Sequence, residues 1–471
     1  MFSVFPRALS LLLLCQLFLA DAVQAAQQCR LQLNSNGKTS GGGVIASTSA
    51  VTPTSPTASS ASAAASASAS STPFKYGTTP IRGVNLGGWF VLEPWITPSI
   101  FTNTGNDAII DEFTFGGLQD PSVALSVLQN HWETWITEAD FAAIAAAGLN
   151  HVRIPLGYWS VPLTSADTNG STSVAPYTAG AWPYLLKALN WAKQYNVHVI
   201  LDLHGAPGSQ NGFDNSGQRT GTPEWAANPA NVSRTIDTLA YIATNIGGLV
   251  DVVELLNEPA AFQSSAFLAT LRQFWQNGYA AVRSAAGSGI KIMIGDGFLG
   301  VDSWSNFLTA PGAQGVIMDY HEYQIFGVPE LSRSFDDHIS FACNSMADLT
   351  NFAKNNIWTV VGEWSTAVTD CTLWLNGRGV GARWDGTYFN QNAALGSCAG
   401  WTGSSSNFSS DYKTFLRKYW EVQVTMGENV QGWVYWTWKA ENSDDWSYQK
   451  GLEGGWIPQD PTDRLYPNIC S

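Results

Sequence analysis

From Phe74 to the end of the chain, short apolar runs alternate with stretches of helical periodicity, and a polar side chain closes most of the runs. A strand buried on both faces reads as a continuous apolar run, because helices cover one side and a barrel interior fills the other. Such runs fall at 81–86, 150–156, 197–204, 251–258, 291–296, 315–320, 358–363 and 431–436. Between them, apolar residues recur at three- and four-residue steps over 132–147, 182–195, 232–246, 266–285, 346–355 and 412–426. Repeated βα units predict an α/β fold, a (β/α)8 TIM barrel with enlarged loops over residues 74–471.

The first residues carry one charge at Arg7, an apolar stretch from Ala8 to Ala20, and small residues at Ala22, Ala25 and Ala26. This pattern predicts a secretory leader over 1–25, too short for a lasting membrane span. Residues 26–73 are dominated by Ser, Ala, Thr, Gly and Pro from Ser40 onward and predict a disordered tail that builds no core. A secreted protein, extracellular or held in a cell wall, is the expected localisation. In that compartment Asn169, Asn231 and Asn407 begin acceptor sequons for glycans.

Five cysteines remain once Cys15 leaves with the leader. Disulfides are expected between Cys371 and Cys398 and between Cys343 and Cys470, with Cys29 left over, although connectivity does not follow from sequence alone. The formal net charge of −14 repels phosphate backbones and anionic lipid, so neither nucleic acid nor a membrane is the expected partner. No later stretch reaches the length of a spanning helix. The chain holds 21 Trp, and indoles suit the apolar faces of sugar rings, although large aromatics serve cores first.

In a parallel barrel the chemistry gathers where strands end. Arg153 closes the second run, Asp202 and His204 the third, Asn257 and Glu258 the fourth, Glu363 the seventh and Trp436 the eighth, with His321 and Tyr323 just past the sixth. Arg153 is equally suited to a structural ion pair, and His204 and His321 to hydrogen-bonded core positions. The two histidines have no third ligand at zinc spacing, so no metal is expected, and no nucleotide fingerprint appears. Glu258 and Glu363 are harder to explain structurally, because a buried carboxylate is costly unless it is paired or functional. Two carboxylates facing one cleft suit glycoside hydrolysis.

These segments also carry a resemblance. Arg82-Gly83-Val84-Asn85-Leu86-Gly87-Gly88-Trp89, Leu92-Glu93-Pro94-Trp95, His151-Val152-Arg153-Ile154-Pro155, the stretch from Leu203 to Gly212, Leu256-Asn257-Glu258-Pro259, His321-Glu322-Tyr323-Gln324, Gly362-Glu363-Trp364-Ser365 and Trp436-Thr437-Trp438-Lys439 resemble the fungal exo-β-1,3-glucanases of glycoside hydrolase family five. Motifs in this order cover essentially everything from Phe74 to Cys470.

The resemblance implies a retaining double displacement with Glu363 as nucleophile and Glu258 as acid/base, and no cofactor. It further implies that Asn257 binds the sugar 2-hydroxyl, that Arg153 keeps Glu363 ionised, and that Tyr323 bonds the nucleophile. By the same resemblance His204 and His321 hold hydroxyls, Trp436 floors the reacting sugar, and Glu93, Asp214 and Asn215 grip the terminal glucose. Phe213 and Phe326 would clamp the next glucose at the mouth. Trp438, two residues beyond Trp436, is the alternative floor. One departure stands out: Val380-Gly381-Ala382-Arg383 replaces the family's Arg-Gly-Ala-Arg, with Arg378 nearby. The expected protein is a monomer releasing glucose from β-glucan polysaccharide or oligosaccharide. A diglycosidase acting on plant flavonoid glycosides and a non-catalytic wall glucan binder are the alternatives.

Overall fold

The computed structural model describes residues 73–390 and 393–471; the expected leader, the expected tail up to residue 72 and Cys29 lie outside the described residues. Eight parallel strands close a barrel in sequence order: β1 Ile81–Asn85, β2 His151–Gly157, β3 His198–Gly205, β4 Val252–Glu254, β5 Lys291–Gly295, β6 Val316–Glu322, β7 Trp358–Trp364 and β8 Gly432–Tyr435. Each expected run carries a strand. Helices α1 Pro121–Thr134 and α2 Glu138–Ala146 follow β1, then α3 Trp182–Gln194, α4 Pro229–Ile246 and α5 Ser265–Ala286 follow β2, β3 and β4. A 3₁₀ turn, Val301–Trp304, is the only helical element between β5 and β6, and α6 Phe335–Asn355 and α7 Ser410–Glu428 complete the ring.

Three boundaries differ from the sequence expectation. The periodic stretch 132–147 is two helices, because the backbone N–H and hydroxyl of Thr137 donate to the Asp140 carboxylate at 2.8 and 3.0 Å and start a new helix there. Helix α6 begins at Phe335, well before residue 346, where Ser334 Oγ accepts from the Asp337 amide at 3.2 Å. Strand β4 stops at Glu254. Asn257 N then donates to the Leu203 carbonyl on β3 at 3.0 Å, and Glu258 adopts the left-handed backbone at φ 43°.

Inward positions alternate along each strand. The lowest layer is apolar, Ile81, Ile200, Val252, Met293, Ile317, Val360 and Val434, with Phe74 and Tyr76 packed against it. Phe74 meets His151 and His198 at the starts of β2 and β3, so these aromatics plug the N-terminal end of the barrel. Two residues further up, the same alternation turns Asp202, Glu254 and Asp319 inward, and a further two turn His204 and His321 inward.

A register shift decides where Glu363 points. Tyr320 pairs with Val361 but His321 pairs with Glu363, so Gly362 is an extra residue in β7. Simple alternation from the inward Val360 would send residue 363 outward; the bulge returns it to the barrel mouth. The extra residue must be small, since a Cβ on Gly362 would lie 1.9 Å from Asp319 Oδ1.

Both expected disulfides are present, Cys343–Cys470 across 127 residues and Cys371–Cys398 across 27. Among the described residues, no helix is long and apolar enough to cross a membrane.

Candidate active site

Arg153 is the hub of the barrel mouth and is fully buried. Its Nε donates to Glu254 Oε2 at 2.7 Å, its Nη1 to Glu363 Oε1 at 2.8 Å and Asn85 Oδ1 at 3.0 Å, and its Nη2 to Asn257 Oδ1 at 2.8 Å. Asp202 Oδ2 lies 3.2 Å and Asp319 Oδ2 3.8 Å from Nη2. One cation therefore faces four carboxylates. Burial raises the Glu254 carboxyl well above its ordinary range despite the pull of Arg153, which eases the crowding of negative charge.

His321 lies between the two expected catalytic carboxylates. Its Nδ1 is 2.9 Å from Glu258 Oε1 and 3.5 Å from Glu363 Oε2, and its Nε2 is 3.1 Å from Asp319 Oδ2. Carboxylate oxygens face both nitrogens, an arrangement that favours a ring donating from both. Although burial opposes the charge, Glu363 and Asp319 raise its pKa well above the usual histidine value. One oxygen each of Glu258 and Glu363 and one His321 nitrogen lie within 4.8 Å of one another. The two carboxylates thus face one another across His321, as a pair that acts on one glycosidic bond must.

Glu363 is buried and accepts from the Tyr323 hydroxyl at 3.0 Å as well as from Arg153. Burial nevertheless raises its pKa, with His321 and Arg153 pulling down and Glu258 pushing up. Glu258 also feels burial, but the His321 and Asn215 hydrogen bonds and the charge of nearby imidazoles outweigh it and lower its pKa. Arg153 thus favours the ionised nucleophile, as the resemblance implies, without outweighing burial. The two directions favour a proton on His321 over one on Glu258, across their shared hydrogen bond.

The remaining expected residues surround this centre. His204 Nδ1 meets Asp202 Oδ2 at 2.5 Å, and its Nε2 lies 3.4 Å from Asn257 Nδ2. The Trp436 ring stacks on His204 at 5.6 Å and 11°, one residue beyond β8 and just before a cis peptide bond. Trp438 instead donates to Asp140 Oδ1 at 2.9 Å and packs in the outer core, which separates the two candidate floors. Glu93 accepts from its own loop at Trp95 Nε1, 3.0 Å, and burial together with Asp214 raises its pKa strongly. Burial likewise lifts Asp214 to about 6. Asn215 donates to Glu258 Oε2 at 2.8 Å, so its amide nitrogen serves Glu258. Phe213 meets Phe298 and Phe326 meets Tyr323, so the two mouth aromatics rest on different neighbours.

Sequence reasoning missed Glu254 and Asp319 beneath Arg153, and Phe298 beside Phe213 with Phe262 against it. Glu254 interrupts an apolar run and Asp319 precedes His321 by two, and period-2 counting from those positions would have found both.

A closed parallel barrel carrying two facing carboxylates at its C-terminal side has the architecture of a glycoside hydrolase. The cellulase family, glycosyl hydrolase family 5, matches residues 117–407, and the chain belongs to that family. It is 44% identical over 408 residues to glucan 1,3-beta-glucosidase 2 of Wickerhamomyces anomalus, covering 84% of this chain and 91% of that one. With the glucan 1,3-beta-glucosidase of Blumeria graminis it is 42% identical over 403 residues, covering 84% and 91%. Among solved structures, the rutinosidase from Aspergillus niger superposes with a TM-score of 0.63 at 19% identity, covering 82% of this chain and all of that one. At that identity the likeness shows the shared fold alone.

Proposed function

We propose that this enzyme releases glucose from the non-reducing end of β-1,3-glucan, with some action on β-1,6 links and some transfer to sugar acceptors. Two buried oxygens carry the reading: Glu93 Oε1 and Asp214 Oδ2 have no hydrogen-bond partner among the described residues. Buried acceptors are costly when unmade, and the hydroxyls of one terminal sugar supply the missing donors. Relatives named glucan 1,3-beta-glucosidase that align along most of the chain support the glucan backbone as the substrate.

The sugar rests on Trp436, with its 2-hydroxyl toward the Asn257 amide nitrogen. Glu363 attacks the anomeric carbon to form a glycosyl-enzyme while Glu258 gives a proton to the departing oxygen. That proton reaches Glu258 from His321 across their 2.9 Å hydrogen bond. Glu258 then takes a proton from water, which attacks from the leaving-group side and frees β-glucose. Phe213 and Phe326 hold the leaving glucan.

Secretion is part of the proposal. The leader 1–25 supports it, as do the two disulfides and the exposure of Asn169 and Asn407. Asn231 is less available, because its amide lies 3.4 Å from the Glu224 carbonyl.

The test incubates purified protein with laminarin and with a flavonoid carrying a disaccharide, following early products by chromatography and NMR. Glucose appearing first as the β-anomer from laminarin is the expected result. Disaccharide released only from the flavonoid glycoside would replace the reading with a diglycosidase.

A further inference from the structure

Arg378 stands two residues before the position where the family resemblance leads one to expect an arginine. It is 5% exposed, and its guanidinium is spent on the loop after β1. Its Nη1 donates to the carbonyls of Asn106 at 3.1 Å and Ile109 at 2.5 Å, its Nη2 reaches Asp107 Oδ1 at 3.1 Å, and the guanidinium lies 4.9 Å from the Trp374 ring centre. The Asp107 carboxylate is fully exposed, so that ion pair adds little; the two backbone carbonyls are the anchor.

The same backbone is gripped from a third loop. The carbonyl of Arg378 accepts from Arg219 Nη1 at 3.1 Å, and the fit over Gly377 is close, since a Cβ there would lie 2.3 Å from that nitrogen. Arg219 in turn donates its backbone N–H to Asp111 Oδ2 at 2.7 Å, and Phe113 N donates to the Gly217 carbonyl at 2.8 Å. Glu112 Oε2 accepts from Leu92 N, the residue before Glu93, at 2.8 Å. The circuit runs from the loop after β1, through the loop after β7, to the loop after β3, and back. It encloses the turn Phe213–Gly217 on which Asp214 and Asn215 stand.

The geometry points to Arg378 and Arg219 as specificity-determining positioning residues, a clasp that holds Glu93 and Asp214 at one-sugar depth and so limits the enzyme to removing single glucose units. This rests on the exo-acting reading of the preceding section. Neither arginine touches the reacting atoms. With the clasp open, the turn bearing Asp214 and Asn215 can withdraw, a second sugar can pass the terminal subsite, and the bond cut moves one unit along the chain.

The experiment compares early products from laminaritetraose for the wild-type protein, Arg378→Ala and Arg219→Gln, each checked for folding by thermal unfolding. The wild type should release glucose, whereas both variants should raise the disaccharide-to-glucose ratio about tenfold, the discrimination that one lost set of pocket contacts supplies. KM should rise more than kcat falls, an outcome that general loss of folded enzyme would not give. If Arg378→Ala fails to fold, Arg219→Gln decides, read beside Arg219→Lys, which keeps the charge that acts on Asp214 and Asp111 while losing the guanidinium hydrogen bond to the Arg378 carbonyl. An unchanged product ratio in folded Arg219→Gln would overturn the clasp. A wild type that yields no glucose from this substrate would overturn the exo-acting reading itself, and the clasp with it.

Discussion

Arg153 shows how much a single residue sets at this site. Removing its charge would leave Asp202, Asp319 and Glu363 without their shared partner, and breaking a buried pair from one side typically costs about 3–5 kcal/mol. Arg153→Met should therefore lower the unfolding temperature as well as activity, whereas Glu363→Ala should abolish turnover, by about 10³-fold or more in kcat, with the fold retained. For Glu258→Ala, an aryl glucoside with a good leaving group should lose far less rate than laminarin, since it needs little protonation. Equal losses on the two substrates would count against Glu258 as the acid. The pH profile follows from two raised groups. Glu363 must be ionised to attack, so activity falls as pH drops through a pKa above the ordinary 4.5. His321 must keep its proton to supply Glu258, so activity also falls as pH rises through a pKa above the ordinary 6.5. His321→Asn should pull the alkaline limb to lower pH, measured on kcat/KM, and an unmoved limb would remove His321 as the proton source.

At the scale of elements, the β7 bulge is the sharpest device. Gly362→Ala sets a methyl group against Asp319, so the strand must shift and Glu363 with it. The expected result is a loss of about 10²-fold or more in kcat, from a displacement on the order of 1 Å, with far-UV circular dichroism unchanged. The strands were legible because each is a dense apolar run, and a barrel leaves little choice of order once eight are counted. The chemistry at their ends was legible wherever a polar residue closes a run, as with Arg153, His204 and Glu363. What escaped depended on local geometry. Nothing in Leu255-Leu256-Asn257-Glu258 announces that pairing with β5 lapses and that Glu258 turns to a positive φ. The break between α1 and α2 is a side-chain capping event inside an unbroken apolar period. Asn215 was matched to a sugar, but its hydrogen bond to Glu258 could be read only once the β3 loop was folded over the mouth.

For the molecule as a whole, buried titratable groups predict where it is most stable. Burial lifts Asp214 and Asp296 to about 6, Glu322 and Asp445 to about 7 and Glu112 to about 8. A carboxyl raised on folding stabilises the protein below its unfolded pKa, and that contribution is lost as pH rises through the folded value. Burial also depresses His131 and His338 to about 4 and His151 to about 3. Their contribution is present above the unfolded value of 6.5 and is lost as pH falls through the folded values. The two slopes oppose one another between about 4.5 and 6.5 and act unopposed outside that window. Thermal unfolding should therefore peak at mildly acidic pH and fall by about 5 °C or more on going to pH 8.5. A peak at or above pH 8 would show that these carboxyls are not held protonated.

The aromatic plug beneath the barrel has a practical corollary. Because Phe74 and Tyr76 seal the end opposite Glu258 and Glu363, the exposed Pro73 beside them lies at the back of the molecule. An enzyme captured on a bead through an anchor placed at Pro73 would present its cleft to the solution, so immobilisation from that side should leave an insoluble glucan free to thread its end in.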